Sequence, residues 1–287
     1  MNNLFNNYKG FNNLGNTCYL NSGLQLIINN KELCNHILSN NNSNNNNNSN
    51  ISMLSQFITE YYNNTNNITL NPFFIKEIVS NKNTEFSGFK QNDSFEFIIY
   101  FLDFIFENIK ISKLYEFNTN IKIKCKLTQC LNISEHYEKN NYLILDILNE
   151  FNNLDDCYRN YKKIEKLNND NLYFCNNCKE KRIASKRIEI IHWPNHLIII
   201  LKRFNNNNNK LQKNNNKIYV PLSWRHNYKL KGIVYHSGSL FGGHYIYIGN
   251  HNNKWIMFND DYIKEILEEH MDEYINFGYI YYFQKDI

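Results

Sequence analysis

Apolar residues recur at helical spacing in two early segments. Residues 17–29 place Leu20, Leu24, Ile27 and Ile28 on one face, and residues 93–109 do the same with Phe95, Ile98, Ile99, Leu102, Ile105 and Phe106. Both patterns predict amphipathic helices. From about residue 120 the pattern changes to that of strands, at residues 121–124, 142–147, 187–191, 197–204, 230–236, 244–249, 254–258 and 278–283. Helices first and strands later predict an α+β architecture with an antiparallel sheet. No internal repeat is present. Residues 40–50, 63–67 and 205–216 are dense in asparagine and lack periodicity, so they read as solvated loops.

Composition narrows the function classes. Of 287 residues, 31 are basic and 27 acidic, a net charge of +4, too balanced for a polycation that neutralises phosphates. A hydrophobic share of 42% supports a buried core in one large or two small domains. Asparagine fills roughly a fifth of the chain, so the many Asn-x-Ser/Thr triplets are expected by chance and are assigned no glycans. The strongest apolar run, residues 197–201, is far short of the ~20 residues that cross a bilayer. Residues 1–5 carry no signal-peptide pattern. An intracellular protein, in cytoplasm or nucleus, is the expectation. Seven cysteines at 18, 34, 125, 130, 157, 175 and 178 then point to metal binding or nucleophilic chemistry rather than disulfides.

Cys18 follows a turn-forming stretch, Gly10 to Thr17, and opens a helical pattern. In a first helical turn, unpaired N–H groups and the positive end of the dipole favour thiolate. The competing reading is a small buried cysteine packing a helix end. Catalysis also needs an oxyanion donor, which Asn12, Asn13 or Asn16 and the N–H of Cys18 can supply, and a base. The base is sought near the other end of the chain. Strands flanking a turn at residues 250–253 pair positions whose numbers sum to about 503, which makes His244 and Asn259 neighbours. An Asn carbonyl on one imidazole nitrogen leaves the other free to take a thiol proton. Gly242 and Gly243 remove side chains where a substrate backbone approaches. The structural alternative is a hairpin histidine beside a glycine turn.

With both ends in view, the chain resembles the ubiquitin-specific protease family of deubiquitinating enzymes. Gly15-Asn-Thr-Cys18-Tyr-Leu-Asn-Ser is similar to that family's cysteine box, and Gly242-Gly-His244-Tyr with Trp255 and Phe258-Asn259-Asp260 to its histidine box. Gln91-Asn-Asp93-Ser-Phe-Glu96-Phe97 and Leu197-Ile-Ile-Ile-Leu-Lys-Arg203-Phe204 resemble intervening landmarks. The likeness runs from about residue 10 to residue 284.

The resemblance implies a single papain-like catalytic domain with a helical thumb (about 1–115), β fingers (about 116–190) and an antiparallel β palm (about 191–287). It implies hydrolysis at the carboxyl end of ubiquitin through a thioester on Cys18. His244 is then the base, Asn259 its orienting partner, Asn13 the oxyanion amide and Asp260 an assisting neighbour. Gln91, Asp93, Glu96, Gly243 and Tyr245 fall at substrate-binding positions. Asp93 and Glu96 also fit a helix-capping pattern, and the two roles are compatible, with Asp93 the stronger recognition candidate. Asn92 departs from the family's glutamine. The implied partners are ubiquitin and ubiquitinated proteins, with a monomer, no nucleic acid and no membrane.

Cys175-Asn-Asn-Cys178 is a Cys-x2-Cys knuckle, and Cys125 and Cys130 lie upstream as Cys-x4-Cys. Four thiolates in two pairs suit a structural zinc, as the resemblance also implies. Leu127 occupies the family's usual first-ligand place, so either a looser loop presents Cys125 or the site lacks a ligand. Catalysis itself needs no cofactor, and Cys34 and Cys157 have no partner signal. Two other readings remain. One is a catalytically inactive ubiquitin-binding adaptor of the same fold. The other is a zinc-ribbon nucleic-acid binder, which the small charge disfavours.

Overall fold

A computed structural model of the chain describes residues 8–43, 49–63, 69–130, 132–207, 210–239 and 242–286. Its first helix forms where the preceding loop turns sharply. Gly15 and Asn16 take left-handed backbone, with φ of 95° and 55°, and Asn13 Oδ1 accepts from the N–H groups of Gly15 at 3.0 Å and Thr17 at 3.1 Å. Helix α1 (Cys18–Ile28) follows, with all 11 residues buried. The amphipathic helix expected here is thus a central one, enclosed on every side. Gly23 lets α1 approach the Phe97 side chain closely, because a Cβ there would lie 2.6 Å from Phe97 Cδ1.

Around α1 lie α2 (Lys31–Ser43), α3 (Ser49–Tyr62), α4 (Phe73–Lys82) and α5 (Ser94–Ile109). A short parallel pair, β1 (Gly10–Phe11) with β2 (Thr69–Leu70), closes the entry to the layer. Helix α5 starts at Asp93, whose Oδ1 accepts from Phe95 N–H at 2.8 Å and Glu96 N–H at 3.2 Å, and ends at left-handed Lys110. The first asparagine-dense stretch differs from expectation. Helix α2 runs into it as far as Ser43 and α3 begins within it at Ser49, while residues 44–48 and 64–67 of these stretches lie outside the described residues.

The strands form two main sheets. β3 (Phe117–Cys125) and β4 (Ile133–Asn140) open the smaller one, after which β5 (Leu143–Leu145) and helix α6 (Leu154–Tyr161) leave it for the larger. The chain returns with β6 (Glu165–Leu167), the hairpin β7 (Tyr173–Cys175) and β8 (Glu180–Arg182), and β9 (Ala184–Ile190). The smaller sheet has the order β4-β3-β9-β6. Inside the span expected for the fingers, β5 therefore joins the other sheet, and α6 packs into that sheet's core through Leu154, Cys157 and Tyr158.

The larger sheet is built from β5 and β10 (His196–Leu201), β13 (Ser223–Trp224), β14 (Tyr228–Ser239), β15 (Gly242–His251), β16 (Lys254–Asn259), β17 (Tyr262–Ile266) and β18 (Ile280–Lys285). Helix α7 (Met271–Phe277) precedes β18. The order is β17-β16-β15-β14-β18-β10-β5, antiparallel except that β10 and β5 run parallel, with β13 on β14. Alternation divides β10 between two cores. Ile198 and Ile200 face the helices, while Leu197, Ile199 and Leu201 join Trp224, Tyr281 and Phe283 on the other side. A strand buried on both faces explains the unbroken apolar run at 197–201.

The third asparagine-dense stretch is also not simply loop. β11 (Phe204–Asn207) and β12 (Lys210–Lys213) pair as a hairpin. Behind it the buried Arg203 guanidinium donates to the carbonyls of Asn214, Asn216, Asn276 and Gly278 at 2.7–3.2 Å. Backbone pairing and a cation ringed by carbonyls order a segment whose side chains gave no periodic signal.

Candidate active site

The β15–β16 hairpin turns at Asn252 and Asn253, both left-handed with φ of 52° and 66°, as a two-residue type I′ turn requires. The observed register pairs Tyr247 with Phe258 and His251 with Lys254, two residues away from the expected register. Because side chains alternate with period 2, that offset leaves His244 and Asn259 on one face. His244 Nε2 lies 2.5 Å from Asn259 Oδ1. The amide oxygen accepts, so Nε2 carries the proton and Nδ1 is left for a second partner. Cys18, 4% exposed at the start of α1, is the neighbouring group that acts on the ring most strongly. Its thiol is the main influence raising the His244 pKa to about 9, with Asn259 and Asp260 adding to the rise and burial opposing it. The arrangement favours an imidazolium beside the sulfur.

Asp260 sits on a left-handed turn at φ 53°. Its Oδ2 accepts from Asn13 Nδ2 and its Oδ1 from Asn21 Nδ2, each at 2.7 Å, while its carbonyl accepts from Phe11 N–H at 2.8 Å. Gly10 makes this contact possible, since a Cβ there would lie 2.7 Å from that carbonyl. Asn13 is therefore fixed at both ends of its amide, the oxygen in its own loop and the nitrogen on Asp260. Asn21 was missed in the sequence reading. Its signal was available in the helical spacing, because position 21 lies one turn after Cys18 on the same side of the helix.

A cleft of about 520 Å³ opens beside Cys18 between α5 and the β14–β15 end. Asp93 forms one wall and ties the two together. Beyond capping α5, its Oδ2 accepts from Tyr245 Oη at 2.9 Å and its Oδ1 from Tyr279 Oη at 3.1 Å. Burial raises its pKa despite these donors. Glu96 remains exposed and lines the cleft, its pKa raised by partial burial and then by Asp93. Gln91 reaches across the mouth. Its Nε2 donates to the Gly243 carbonyl at 3.2 Å, and its Oε1 accepts from the Gly243 N–H at 3.4 Å. His236, which the sequence reading did not single out, lines the same cleft.

At the far end of the smaller sheet, the sulfurs of Cys125, Cys130, Cys175 and Cys178 all lie within 4.8 Å of one another. The Cys130 and Cys175 sulfurs are 3.6 Å apart, close to the roughly 3.8 Å edge of a tetrahedron with 2.3 Å zinc–sulfur bonds. Asn177 Nδ2 approaches Cys130 Sγ at 3.4 Å and Asn132 Nδ2 approaches Cys175 Sγ at 3.6 Å, polar contacts suited to thiolates. The longer Cys-x4-Cys spacing is taken up by a turn in which Cys130 N–H bonds to the Leu127 carbonyl at 2.9 Å, with the Leu127 side chain exposed. The donor set fits zinc, and Cys125 is part of it.

Comparison with known proteins agrees with this geometry. The family model described as ubiquitin carboxyl-terminal hydrolase matches residues 9–283. A probable ubiquitin carboxyl-terminal hydrolase 16 of Schizosaccharomyces pombe is 28% identical over 91% of this chain and 64% of its own length. The ubiquitin carboxyl-terminal hydrolase Usp2 of Drosophila melanogaster is 26% identical over 91% of this chain, which spans 33% of that relative. Among solved structures, Ubp8 in the SAGA DUB module bound to monoubiquitin superposes with a TM-score of 0.85 at 23% identity, covering 100% of this chain and 71% of the other. The module bound to ubiquitin aldehyde gives 0.82 over 97% and 70%. This likeness establishes the fold, an α+β one. Among the described residues no helix is long and apolar enough to cross a membrane. With the matched model spanning nearly the whole chain, and Cys18 of the cysteine box lining one cleft with Gly243 and Tyr245 of the histidine box, the chain belongs to the ubiquitin carboxyl-terminal hydrolase family.

Proposed function

We propose that the chain is a cysteine-type deubiquitinase that hydrolyses the peptide or isopeptide bond at the carboxyl-terminal glycine of ubiquitin. The observation that carries the reading is the 2.5 Å contact between His244 and Asn259, with Cys18 the strongest influence on the imidazole and itself lining the cleft beside Gly243. An adaptor that only binds ubiquitin has no use for this arrangement. The ubiquitin-bound relatives of the same fold support ubiquitin as the ligand. On this reading the helical layer up to about residue 115 is the thumb, the smaller sheet the fingers and the larger sheet the palm.

Chemistry follows from the positions. The ubiquitin tail enters the cleft beside Gln91 and Gly243, and Gly243 itself has no side chain to crowd a narrow glycine backbone. The Cys18 thiolate attacks the terminal glycine carbonyl, and the developing oxyanion is met by the Cys18 N–H and by Asn13, whose amide keeps a second N–H after one is given to Asp260. His244, held protonated beside the thiolate, donates its proton to the leaving amine as the C–N bond breaks. Neutral His244 then takes a proton from water, whose oxygen attacks the thioester and releases the free carboxylate and the thiol. Asn259 keeps the ring oriented through both steps. Asp93 and Glu96 place negative charge along the path of the tail. Cys125, Cys130, Cys175 and Cys178 would hold a structural zinc that crosslinks the fingertip.

The test is a ubiquitin probe with a thiol-reactive carboxyl terminus. The proposal expects a covalent adduct on wild type and none on Cys18→Ala. A wild-type protein that binds ubiquitin without forming the adduct would support the adaptor reading instead.

A further inference from the structure

His236 stands directly across from Tyr245 in the β14–β15 pair, on the face that carries Gly243. It is only 6% exposed. Its ring lies 4.5 Å from that of Tyr245 and meets Phe204 edge-on at 5.2 Å. Most tellingly, a Cβ built on Gly243 would fall 2.1 Å from His236 Nε2 and 2.5 Å from its Cε1. The imidazole thus occupies the volume that a side chain at position 243 would need. Gly243 is gripped from the other side by the paired hydrogen bonds of Gln91. The strand behind the ring is also held, since Lys213 Nζ donates to the carbonyls of His236 at 2.8 Å and Gly238 at 3.1 Å.

We propose that His236 is a positioning residue for the reaction, its ring seated against Gly243 so that the backbone entering His244 is held in one place beside Cys18. The role is steric and needs no proton transfer. Burial, then the Lys213 ammonium and His244, bring the His236 pKa down to about 4, so the ring stays neutral next to a catalytic imidazolium. Among the described residues its buried Nδ1 has no hydrogen-bond partner, which is tolerable for a ring kept for its shape and favours replacement by an apolar ring of similar outline. The glycine of the cleft is, on this account, required by the histidine beneath it as well as by the substrate above it.

The inference rests on the deubiquitinase reading, and the experiment separates the two. Wild type, Gly243→Ala, His236→Ala, the double variant and His236→Phe are compared by melting, by the rate at which iodoacetamide alkylates Cys18 as mapped by mass spectrometry, and by kcat and KM on a ubiquitin carboxyl-terminal amide reporter. Gly243→Ala should slow alkylation and lower kcat by about tenfold or more, the scale expected for a displaced catalytic group. His236→Ala should lower kcat with little change in KM. The double variant should recover about fivefold over Gly243→Ala, because removing the ring makes room for the methyl. His236→Phe should stay within about threefold of wild type. A double variant as slow as the product of the two single losses would overturn the proposal. So would a His236→Ala protein indistinguishable from wild type, which decides the matter if Gly243→Ala does not fold. If wild type fails to cleave the reporter, the deubiquitinase reading falls, and the alkylation series still decides the role of His236.

Discussion

Asp260 holds the side-chain amide of Asn13 at 2.7 Å across 247 residues of chain, and takes its second bond from Asn21 one turn along the helix that Cys18 opens. The carboxylate thereby locks the proposed oxyanion donor to the helix that carries the proposed nucleophile. Asn13→Ala should lower kcat by about 10²–10³-fold with KM nearly unchanged. Asp260→Ala should lose part of the same energy, about 10–10²-fold, and the double variant should be little worse than Asn13→Ala alone, because the two act as one unit. Steady-state kinetics on the amide reporter read this directly. Strict additivity would separate the two residues.

The pH dependence has a definite sign. His244 has a folded pKa of about 9 against 6.5 for the free side chain, so the fold favours the imidazolium. The stabilisation this brings is fully present below pH 6.5 and is lost as pH rises through about 9. Release of an amine leaving group should fall over the same alkaline limb. Cys18 is the largest cause of the rise and Asn259 a further one. Cys18→Ala and Asn259→Ala should therefore both bring the His244 titration down, the first by more, as followed by imidazole NMR.

Asp93 and Glu96 are separable by experiment. Asp93→Ala removes the cap of α5, worth about 1 kcal/mol, and strands the hydroxyls of Tyr245 and Tyr279, each costing about 1–3 kcal/mol. Its melting temperature and its activity should both drop. Glu96, exposed on the cleft wall, should tolerate alanine without a change in melting and show it as a raised KM for ubiquitin substrates. Matched thermal melts and kinetics distinguish the two roles.

How much of this was legible in the chain depends on the kind of signal. Periodicity placed α1, α5 and most strands of the large sheet because burial dictates spacing. It failed where order comes from backbone groups: the β11–β12 hairpin and the carbonyl ring around Arg203 leave no pattern in asparagine side chains. The His244–Asn259 neighbourhood survived a register error of two because the strand period is two. Cys18 at the helix start was read from turn residues. Asn21 and His236 were not read, since their importance lies in what they touch, Asp260 at 239 residues' distance and the backbone of Gly243.

The four-sulfur cluster makes a compositional prediction. Purified protein should carry one zinc per chain. Cys125→Ser and Cys178→Ser should each lose it and lower the melting temperature by weakening the fingertip hairpin, while iodoacetamide still finds Cys18 reactive. Metal analysis with a chromophoric chelator checks the stoichiometry. Full zinc content in Cys125→Ser would show that this cysteine is not a ligand.

On the proposed function, Cys18 is a nucleophile poised for the carboxyl terminus of ubiquitin. Mass spectrometry of the protein after exposure to a ubiquitin vinyl-type probe tests it most directly. A single adduct on the peptide containing Cys18 is expected, abolished by Cys18→Ala and strongly slowed by His244→Ala. Absence of any adduct on wild type, or an adduct that persists in Cys18→Ala, would contradict it.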